Sequence, residues 1–126
     1  MSKKILVVDD HHDTSFILCR LLKTEGYDVQ HALDGVVGLS SAMREQPDLI
    51  VTDVQMPRMD GIEMIRRLRE RDDLRRVPII VMSAYGKRVI EEAMRAGADE
   101  FVTKPINLDQ LLTTVKSRLA PLGAGH

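Results

Sequence analysis

The chain alternates short apolar runs with longer stretches of helical periodicity, and this alternation restricts the folds open to it. Runs typical of β-strands occur at residues 5–8, 27–31, 49–52, 79–82 and 100–103. After each run, apolar residues recur at three- and four-residue intervals, as they do along one face of a helix. Two runs, ILVV and LIV, are apolar at consecutive positions, which is typical of strands covered on both faces. Five strand–helix units predict an α/β fold, a parallel sheet with helices on both faces.

Several helix boundaries are marked by residues with known end preferences. Gly26 and Gly97 follow two of the helical stretches, where glycine readily ends a helix. Capping-box spacing begins two further helices, in the pairs Asp60–Glu63 and Asn107–Gln110. We therefore expect helices to begin after Asp60 and after Asn107, with both residues acting as N-caps.

The length of the chain predicts a single domain. It has 126 residues, of which 44% are hydrophobic and 29% charged, and this is enough for one core of its own. We expect residues 1–119 to form the domain. Residues 120–126 carry small side chains without apolar periodicity and are expected to form a flexible C-terminal tail.

Charge and cysteine content exclude several classes of protein. A formal net charge of −1 gives no electrostatic basis for binding nucleic acid or an anionic membrane. The arginine-rich segment 66–76 is interrupted by acidic residues, which predicts a solvated helix face. No stretch approaches the roughly 20 apolar residues of a membrane span. Because Cys19 is the single cysteine, an internal disulfide is excluded and a cytoplasmic location is expected.

Polar side chains follow four of the five predicted strands. Asp9 and Asp10 come after the first strand, Asp53 after the third, Ser83 after the fourth and Lys104 after the fifth. In open parallel sheets the ligand crevice lies beyond the carboxyl ends of the strands, near a topological switch point. We therefore expect three carboxylates, a hydroxyl and an ammonium group to meet at one edge of the sheet.

A cluster of carboxylates is electrostatically unfavourable unless a positive charge accompanies it. Mg²⁺ takes oxygen ligands and is usually held by one or two carboxylates together with a phosphate. A lysine in the same place suits a phosphoryl group. His11 and His12 follow the acidic pair, and we assign them to a solvated loop because imidazole is a poor ligand for Mg²⁺. The pattern predicts a site for Mg²⁺-assisted phosphoryl transfer in which one carboxylate is the acceptor.

Over residues 3–119, the chain resembles the receiver domains of two-component response regulators, the group that includes the chemotaxis response regulator. The resemblance lies in five motifs that occur in order: Asp9-Asp10, Asp53 before VQMP, Asp60-Gly61, Ser83-Ala84 and Lys104-Pro105. It implies a five-stranded (βα)5 flavodoxin-like fold with strand order 2-1-3-4-5. It also implies a switch protein that catalyses only its own phosphotransfer and dephosphorylation.

The resemblance assigns the acceptor and the metal ligands. It implies that Asp53 takes a phosphoryl group from a histidine of a partner kinase or phosphotransfer protein. Asp10, with Asp9 acting less directly, is implied to hold Mg²⁺, together with Asp53 and the backbone carbonyl of Gln55.

The resemblance also assigns the residues around the phosphoryl group. Ser83 matches the hydroxyl that binds it, and Lys104 matches the lysine that pairs with it, in a Lys104-Pro105 bond that is typically cis in the family. Gln55 and Tyr85 occupy positions that modulate the lifetime of the phosphoryl group. Phe101 occupies the position of the family's aromatic switch residue.

The output surface implied by the resemblance is the face formed by the fourth helix, the fifth strand and the fifth helix. On this face, which includes Arg88, Glu92 and Arg95, we expect a downstream protein or effector domain to bind, or a phosphorylation-dependent dimer to form. No direct contact with nucleic acid or membrane is expected.

Two other classes of α/β protein fit the sequence less well than the switch. A flavodoxin would require a loop of Ser, Thr or Gly after the first strand to hold the FMN phosphate, where this chain has Asp9-Asp10. A phosphatase with an aspartate nucleophile typically has a second catalytic Asp two residues after the first, where this chain has Gln55. Both observations favour the switch.

Overall fold

The computed structural model describes residues 2–84 and 86–120. Strands and helices alternate throughout, as the apolar pattern predicts. The elements are β1 (Lys4–Val8), α1 (His12–Thr24), β2 (Asp28–Ala32), α2 (Gly35–Glu45), β3 (Leu49–Asp53), α3 (Gly61–Arg69), β4 (Ile79–Ser83), α4 (Lys87–Ala96), β5 (Glu100–Thr103) and α5 (Leu108–Leu119). Tyr85 and residues 121–126 of the expected tail lie outside the described residues.

The five strands form one parallel sheet in the order β2-β1-β3-β4-β5, which confirms the expected fold. Because β2 pairs with one side of β1 and β3 with the other, the order reverses between β1 and β3. Val8 of β1 pairs with Thr52 of β3, so the residues that follow, Asp9 and Asp53, are neighbours at the switch point. Three strands run one residue further than predicted, since Ala32 ends β2, Asp53 ends β3 and Ser83 ends β4.

The sheet divides the apolar core into two layers. Along β1, Leu6 and Val8 belong to a cluster with residues of α2, α3 and α4. Ile5 and Val7 belong to a second cluster with residues of α1 and α5. Successive side chains of a strand point to opposite faces of the sheet, so a continuous apolar run is needed to fill both layers. The expected helices on both faces are confirmed.

The helix boundaries follow the expected end signals. The side chain of Asp60 accepts a hydrogen bond from the Glu63 N–H at 2.9 Å, and that of Asn107 accepts one from the Gln110 N–H at 3.0 Å. Gly26, just after α1, has a positive φ of 96°, which glycine adopts without strain. Asp34 was not predicted as an N-cap, but its side chain accepts the Val37 N–H at 2.9 Å at the start of α2.

The prediction of a solvated helix face for the arginine-rich segment 66–76 is wrong for Arg69. The Arg69 side chain is 18% exposed and lies 2.9 Å from Asp99 Oδ2. It also donates to the carbonyl oxygens of Val77, at 2.7 Å, and Gly97, at 2.8 Å. These bonds join the end of α3 to the segments before β4 and β5, so Arg69 has a structural role that the charge pattern did not show.

Cys19 lies on α1 and is partly buried against the core layer that contains α1 and α5. Burial raises the pKa of its thiol, which keeps the group in its neutral, less reactive form. Within the described residues, no helix has the length and apolar character needed to cross a bilayer.

The loop between β3 and α3 is held at both ends by close backbone contacts. The Gly61 N–H donates to the carbonyl oxygen of Val54 at 2.7 Å, and the Gly35 N–H donates to that of Met59 at 3.0 Å. A Cβ atom at Gly61 would overlap the backbone carbonyl of Asp53, and one at Gly35 would overlap that of Met59. Only glycine therefore allows the loop to pack this closely.

We expect Gly61→Ala to lower the free energy of unfolding by about 1–3 kcal/mol, the usual cost of overpacking a tight site. The obstructing atoms belong to the backbone at the end of β3 and have little room to move. Gly86→Ala is the control, because among the described residues no atom lies within 4 Å of its added Cβ. Urea denaturation of both variants tests this. Equal stabilities for the two variants would contradict the packing argument.

Candidate functional site

The carboxyl ends of the strands form an open cleft of about 850 Å³. Its lining comes from the loops that follow β1, β3, β4 and β5, together with the end of β3 and the start of α1. The lining residues are Asp10, His11, Thr14, Asp53, Gln55, Met56, Asp60, Ala84 and Lys104. Asp9 is fully buried directly beside the cleft. The expected meeting of carboxylates and a lysine at this edge of the sheet is therefore present in the structure.

Asp53 is a buried carboxylate that Lys104 holds. Lys104 Nζ lies 2.7 Å from Asp53 Oδ2, and the two side chains are 21% and 6% exposed. The other carboxylate oxygen, Oδ1, accepts the Val54 N–H at 2.7 Å. Lys104 is positioned by its own backbone, whose N–H donates to the Ser83 carbonyl at 2.9 Å. The Lys104-Pro105 bond is cis, as the resemblance implied.

The acidic pair after β1 has buried oxygen atoms that accept no hydrogen bond from the described residues. Asp9 Oδ1 accepts the backbone N–H of His11 at 2.9 Å. Within the described residues, Asp9 Oδ2 and Asp10 Oδ1 are buried without any hydrogen bond. A buried anionic oxygen without a partner is costly, and a bound cation would remove that cost.

The donor set fits Mg²⁺. Ligand atoms of Asp9, Asp10, His11 and Asp53 all lie within 4.8 Å of one another. Three of these four residues are carboxylates, which are the hard oxygen ligands that Mg²⁺ prefers. Asp9 and Asp10, which carry the buried oxygens without a hydrogen bond, belong to this cluster. We conclude that the residues present are suited to a divalent cation.

His11 is the main feature of the cleft that the sequence did not predict. Its side chain is 63% exposed, as a loop residue should be, yet Nδ1 lies 3.2 Å from both Asp9 Oδ1 and Asp10 Oδ1. The same nitrogen is 3.7 Å from Asp53 Oδ2. One feature of the sequence indicated this position, because His11 directly follows the acidic pair at the carboxyl end of a strand.

The remaining residues that were predicted for the site differ in their exposure and in whether they line the cleft. Gln55 is exposed and lines the cleft, and Ser83 is almost fully buried at the end of β4. Phe101 is 47% exposed on β5, three residues before Lys104, and does not line the cleft. Tyr85, to which a role in phosphoryl lifetime was assigned, lies outside the described residues. Asp60 lines the cleft while capping α3.

Comparison with known proteins decides the family. Residues 5–116 match the response regulator receiver domain family, and the match includes every residue discussed in the cleft. The chain belongs to this family. As a receiver domain it is a regulatory phosphoacceptor domain of two-component signalling, and its acidic pocket suits Mg²⁺.

The receiver domain is similar to proteins of different lengths. Sporulation initiation phosphotransferase F of Bacillus subtilis is 35% identical over 120 residues, covering 94% of this chain and 95% of that protein. The DNA-binding dual master transcriptional regulator RpaA of Synechocystis sp. is 34% identical over 119 residues. That alignment covers 92% of this chain and 48% of RpaA, so the receiver domain spans about half of RpaA.

A solved receiver domain of a sensor histidine kinase from Pseudomonas aeruginosa PAO1 has the same fold. It superposes with a TM-score of 0.87 at 29% identity, covering 96% of this chain and all of that one. That structure has a magnesium ion coordinated in its active-site cleft.

We expect Lys104→Met to lower the free energy of unfolding by up to about 3 kcal/mol, since it leaves a buried carboxylate without its counter-charge. The variant should be measured by urea denaturation with a chelator present, in the wild-type and Asp53→Asn backgrounds. In Asp53→Asn the carboxylate charge is already absent, so the same change should cost much less. An equal cost in both backgrounds would show that Lys104 does not stabilise the domain through Asp53.

Proposed function

We propose that the protein is a phosphorylation-activated signalling switch in which Asp53 takes the phosphoryl group. The observation that carries this proposal is the position of Asp53. It lies at the switch point of the sheet, facing an open cleft, with Lys104 at 2.7 Å and the acidic pair beside it. Asp10 and Asp60 also line the cleft, but among the described residues only Asp53 is held by a lysine there.

The transfer step follows from this arrangement. A carboxylate oxygen of Asp53 attacks the phosphorus of a phosphohistidine on the donor protein. The P–N bond breaks, the donor imidazole leaves with the bonding electrons and takes up a proton, and an acyl phosphate remains on Asp53. Lys104 supplies a fixed positive charge next to the oxygen at which negative charge gathers.

In this proposal Asp10 and Asp53 hold the Mg²⁺ ion, with the carbonyl of Gln55 and with Asp9 acting less directly. When bound, the ion offsets the charge of the phosphoryl oxygens and of the carboxylates. The protein residues hold the acceptor in place. Because Asp53 Oδ1 already accepts the Val54 N–H at 2.7 Å, the carboxylate is oriented before any donor arrives.

The remaining roles in the cleft concern the bound phosphoryl group. We assign its hydroxyl hydrogen bond to Ser83 and the control of its lifetime to Gln55 and Tyr85. Gln55 is exposed on the lining of the cleft, where its side chain can affect the approach of water. Hydrolysis of the acyl phosphate by the domain itself belongs to this proposal.

The phosphodonor that we propose is a sensor histidine kinase or a histidine phosphotransfer protein. A groove beside the cleft is lined by Ile17 and Leu18 of α1 and by Lys104, Pro105 and Leu108. Ile17 and Leu108 are exposed, and this apolar surface lies next to the lysine that holds the acceptor. A helix that presents a phosphohistidine would bury these side chains while its histidine reaches Asp53. The proposed location is the cytoplasm, where Cys19 would remain a thiol.

Incubation with Mg²⁺ and acetyl phosphate should add one acid-stable, base-labile phosphoryl group, and Asp53→Asn should abolish it because the amide is not a nucleophile. Asp60→Asn is a matched control. It changes a carboxylate on the same cleft, and asparagine still caps α3. Intact-mass measurement before and after base treatment gives the readout. Labelling of Asp53→Asn at the wild-type level would disprove the assignment.

We further propose that phosphorylation is transmitted through Ser83 and Phe101 to the face formed by α4, β5 and α5. The phosphoryl group adds about −1.5 to −2 charge and attracts nearby donors. Movement of Ser83 toward it would open space for Phe101. Because Phe101 is already half-buried, turning inward gains roughly half of the 1.5–3 kcal/mol for full burial of such a side chain. That is about 1 kcal/mol, or about a fivefold change in population.

We expect beryllofluoride, a phosphoryl mimic, to shift amide NMR resonances between Lys87 and Phe101 as well as around Asp53. Phe101→Ala should weaken phosphorylation-dependent binding or dimerisation by about fivefold, as follows from the burial estimate. Phe16→Ala is the control, because Phe16 is exposed on α1, away from the α4–β5–α5 face. Shifts confined to the loops around Asp53 would rule out this output route.

A further inference from the structure

We propose that His11 makes the carboxylate cleft a binding site for a borderline transition-metal ion, of which Zn²⁺ is the probe, with Nδ1 as a direct ligand. The carboxylate ligands would be the same ones that hold Mg²⁺ in the proposed function. The proposal rests on that function only in sharing these ligands. What is new is the imidazole, which adds a ligand type that Mg²⁺ does not favour.

The separations of the ligand atoms support a tetrahedral ion. Nδ1 of His11 lies 3.2 Å from Asp9 Oδ1, 3.2 Å from Asp10 Oδ1 and 3.7 Å from Asp53 Oδ2. Zn²⁺ binds nitrogen and oxygen ligands at about 2.0–2.2 Å, which places the corners of a tetrahedron roughly 3.3–3.6 Å apart. Nδ1 therefore already lies at about this ligand–ligand spacing from each of the three oxygens, and the ligand atoms of the four residues all lie within 4.8 Å of one another. Asp53 Oδ2 would be shared with Lys104, whose Nζ lies 2.7 Å away.

A second observation points to a cation independently of the histidine. Asp9 is fully buried, and within the described part of the chain its Oδ2 has no hydrogen-bond partner. Asp10 Oδ1 also makes no hydrogen bond there, but it lies 3.2 Å from His11 Nδ1, so only Asp9 Oδ2 is evidence independent of the ring. A protonated Nδ1 would pair with Asp9 Oδ1 and Asp10 Oδ1 and would still leave Asp9 Oδ2 unsatisfied. A cation bound at the Asp9 carboxylate would compensate the charge that this buried oxygen carries.

The two kinds of metal would use His11 differently. The His11 side chain is 63% exposed, so it can turn away when Mg²⁺ binds the carboxylates. Co²⁺, Ni²⁺ and Zn²⁺ favour imidazole as a ligand, so they would retain the ring. Loss of His11 should therefore lower the affinity for these metals more than the affinity for Mg²⁺. If His11 had only a structural role, its loss would lower both affinities equally.

The chain provides a matched control in His12. This residue is the first of α1, is exposed, and does not belong to the group of potential ligands. A binding site that depended only on nearby surface imidazoles would be weakened by loss of either histidine.

The test is calorimetric titration of the full chain with Zn²⁺ and, separately, with Mg²⁺. Removing an interaction that orients a metal ligand typically costs about 10–100-fold in affinity, so loss of a direct ligand should cost at least about tenfold. We expect His11→Ala to weaken Zn²⁺ binding by that amount and to change Mg²⁺ binding by less than about twofold. We expect His12→Ala to change neither affinity. Unchanged Zn²⁺ affinity in His11→Ala, or equal losses for both metals, would overturn the proposal.

Nitrogen NMR of protein labelled with ¹⁵N-histidine provides a second readout. The Nδ1 resonance of His11 should move to the metal-bound range with Zn²⁺ and should not do so with Mg²⁺. Coordination through Nε2, or no shift at all, would overturn the proposal. Phosphorylation of the same variants by acetyl phosphate separates the two hypotheses. If His11→Ala is phosphorylated and its Zn²⁺ affinity is unchanged, only the metal proposal is refuted. If the wild type is not phosphorylated but His11→Ala selectively loses Zn²⁺ affinity, only the assignment of Asp53 as acceptor is refuted.

Discussion

The ion pair between Lys104 and Asp53 is the interaction on which the site depends. A parallel sheet with helices on both faces buries the ends of its central strands, and a charge there must be compensated. Lys104 Nζ, 2.7 Å from Asp53 Oδ2, compensates one of the three carboxylates that meet at this edge. The acidic pair retains excess negative charge, and two of its buried oxygens make no hydrogen bond with the part of the chain that the structure describes. The domain therefore gives up some stability at this edge and gains affinity for a cation.

Most of the fold followed from local signals. Strands buried on both faces need apolar side chains at consecutive positions, and ILVV and LIV showed this directly. The N-cap roles of Asp60 and Asn107 depend on atoms three residues away, so spacing alone identified them. Arg69 was misjudged because its partners are remote, with Asp99 30 residues further along the chain. No pattern within one helix shows that an exposed-looking arginine will cross to another segment.

The site was predictable to the extent that it depends on topology. Parallel strands bring their carboxyl ends to one edge, so residues at strand ends indicated which side chains would meet. The direction of the His11 ring was not predictable, because it depends on the conformation of the loop after β1, where the His11 N–H binds Asp9 Oδ1. The sequence predicted Phe101 within the fifth strand and Ser83 directly after the fourth, whereas Ser83 is the last residue of β4. Their switching roles concern a change between two states, and sequence position alone does not specify such a change.

The distance along the chain between Asp53 and Lys104 has a consequence for how the domain is made. The two residues are 51 positions apart, and β4 lies between their strands in the sheet. Contacts between residues far apart in sequence form only after long loops have closed. The counter-charge for Asp53 therefore arrives with the last strand, after β1 and β3 are already able to pair. A chain still being synthesised has its acidic residues in place before its lysine, so the cleft is complete only when nearly the whole domain has folded.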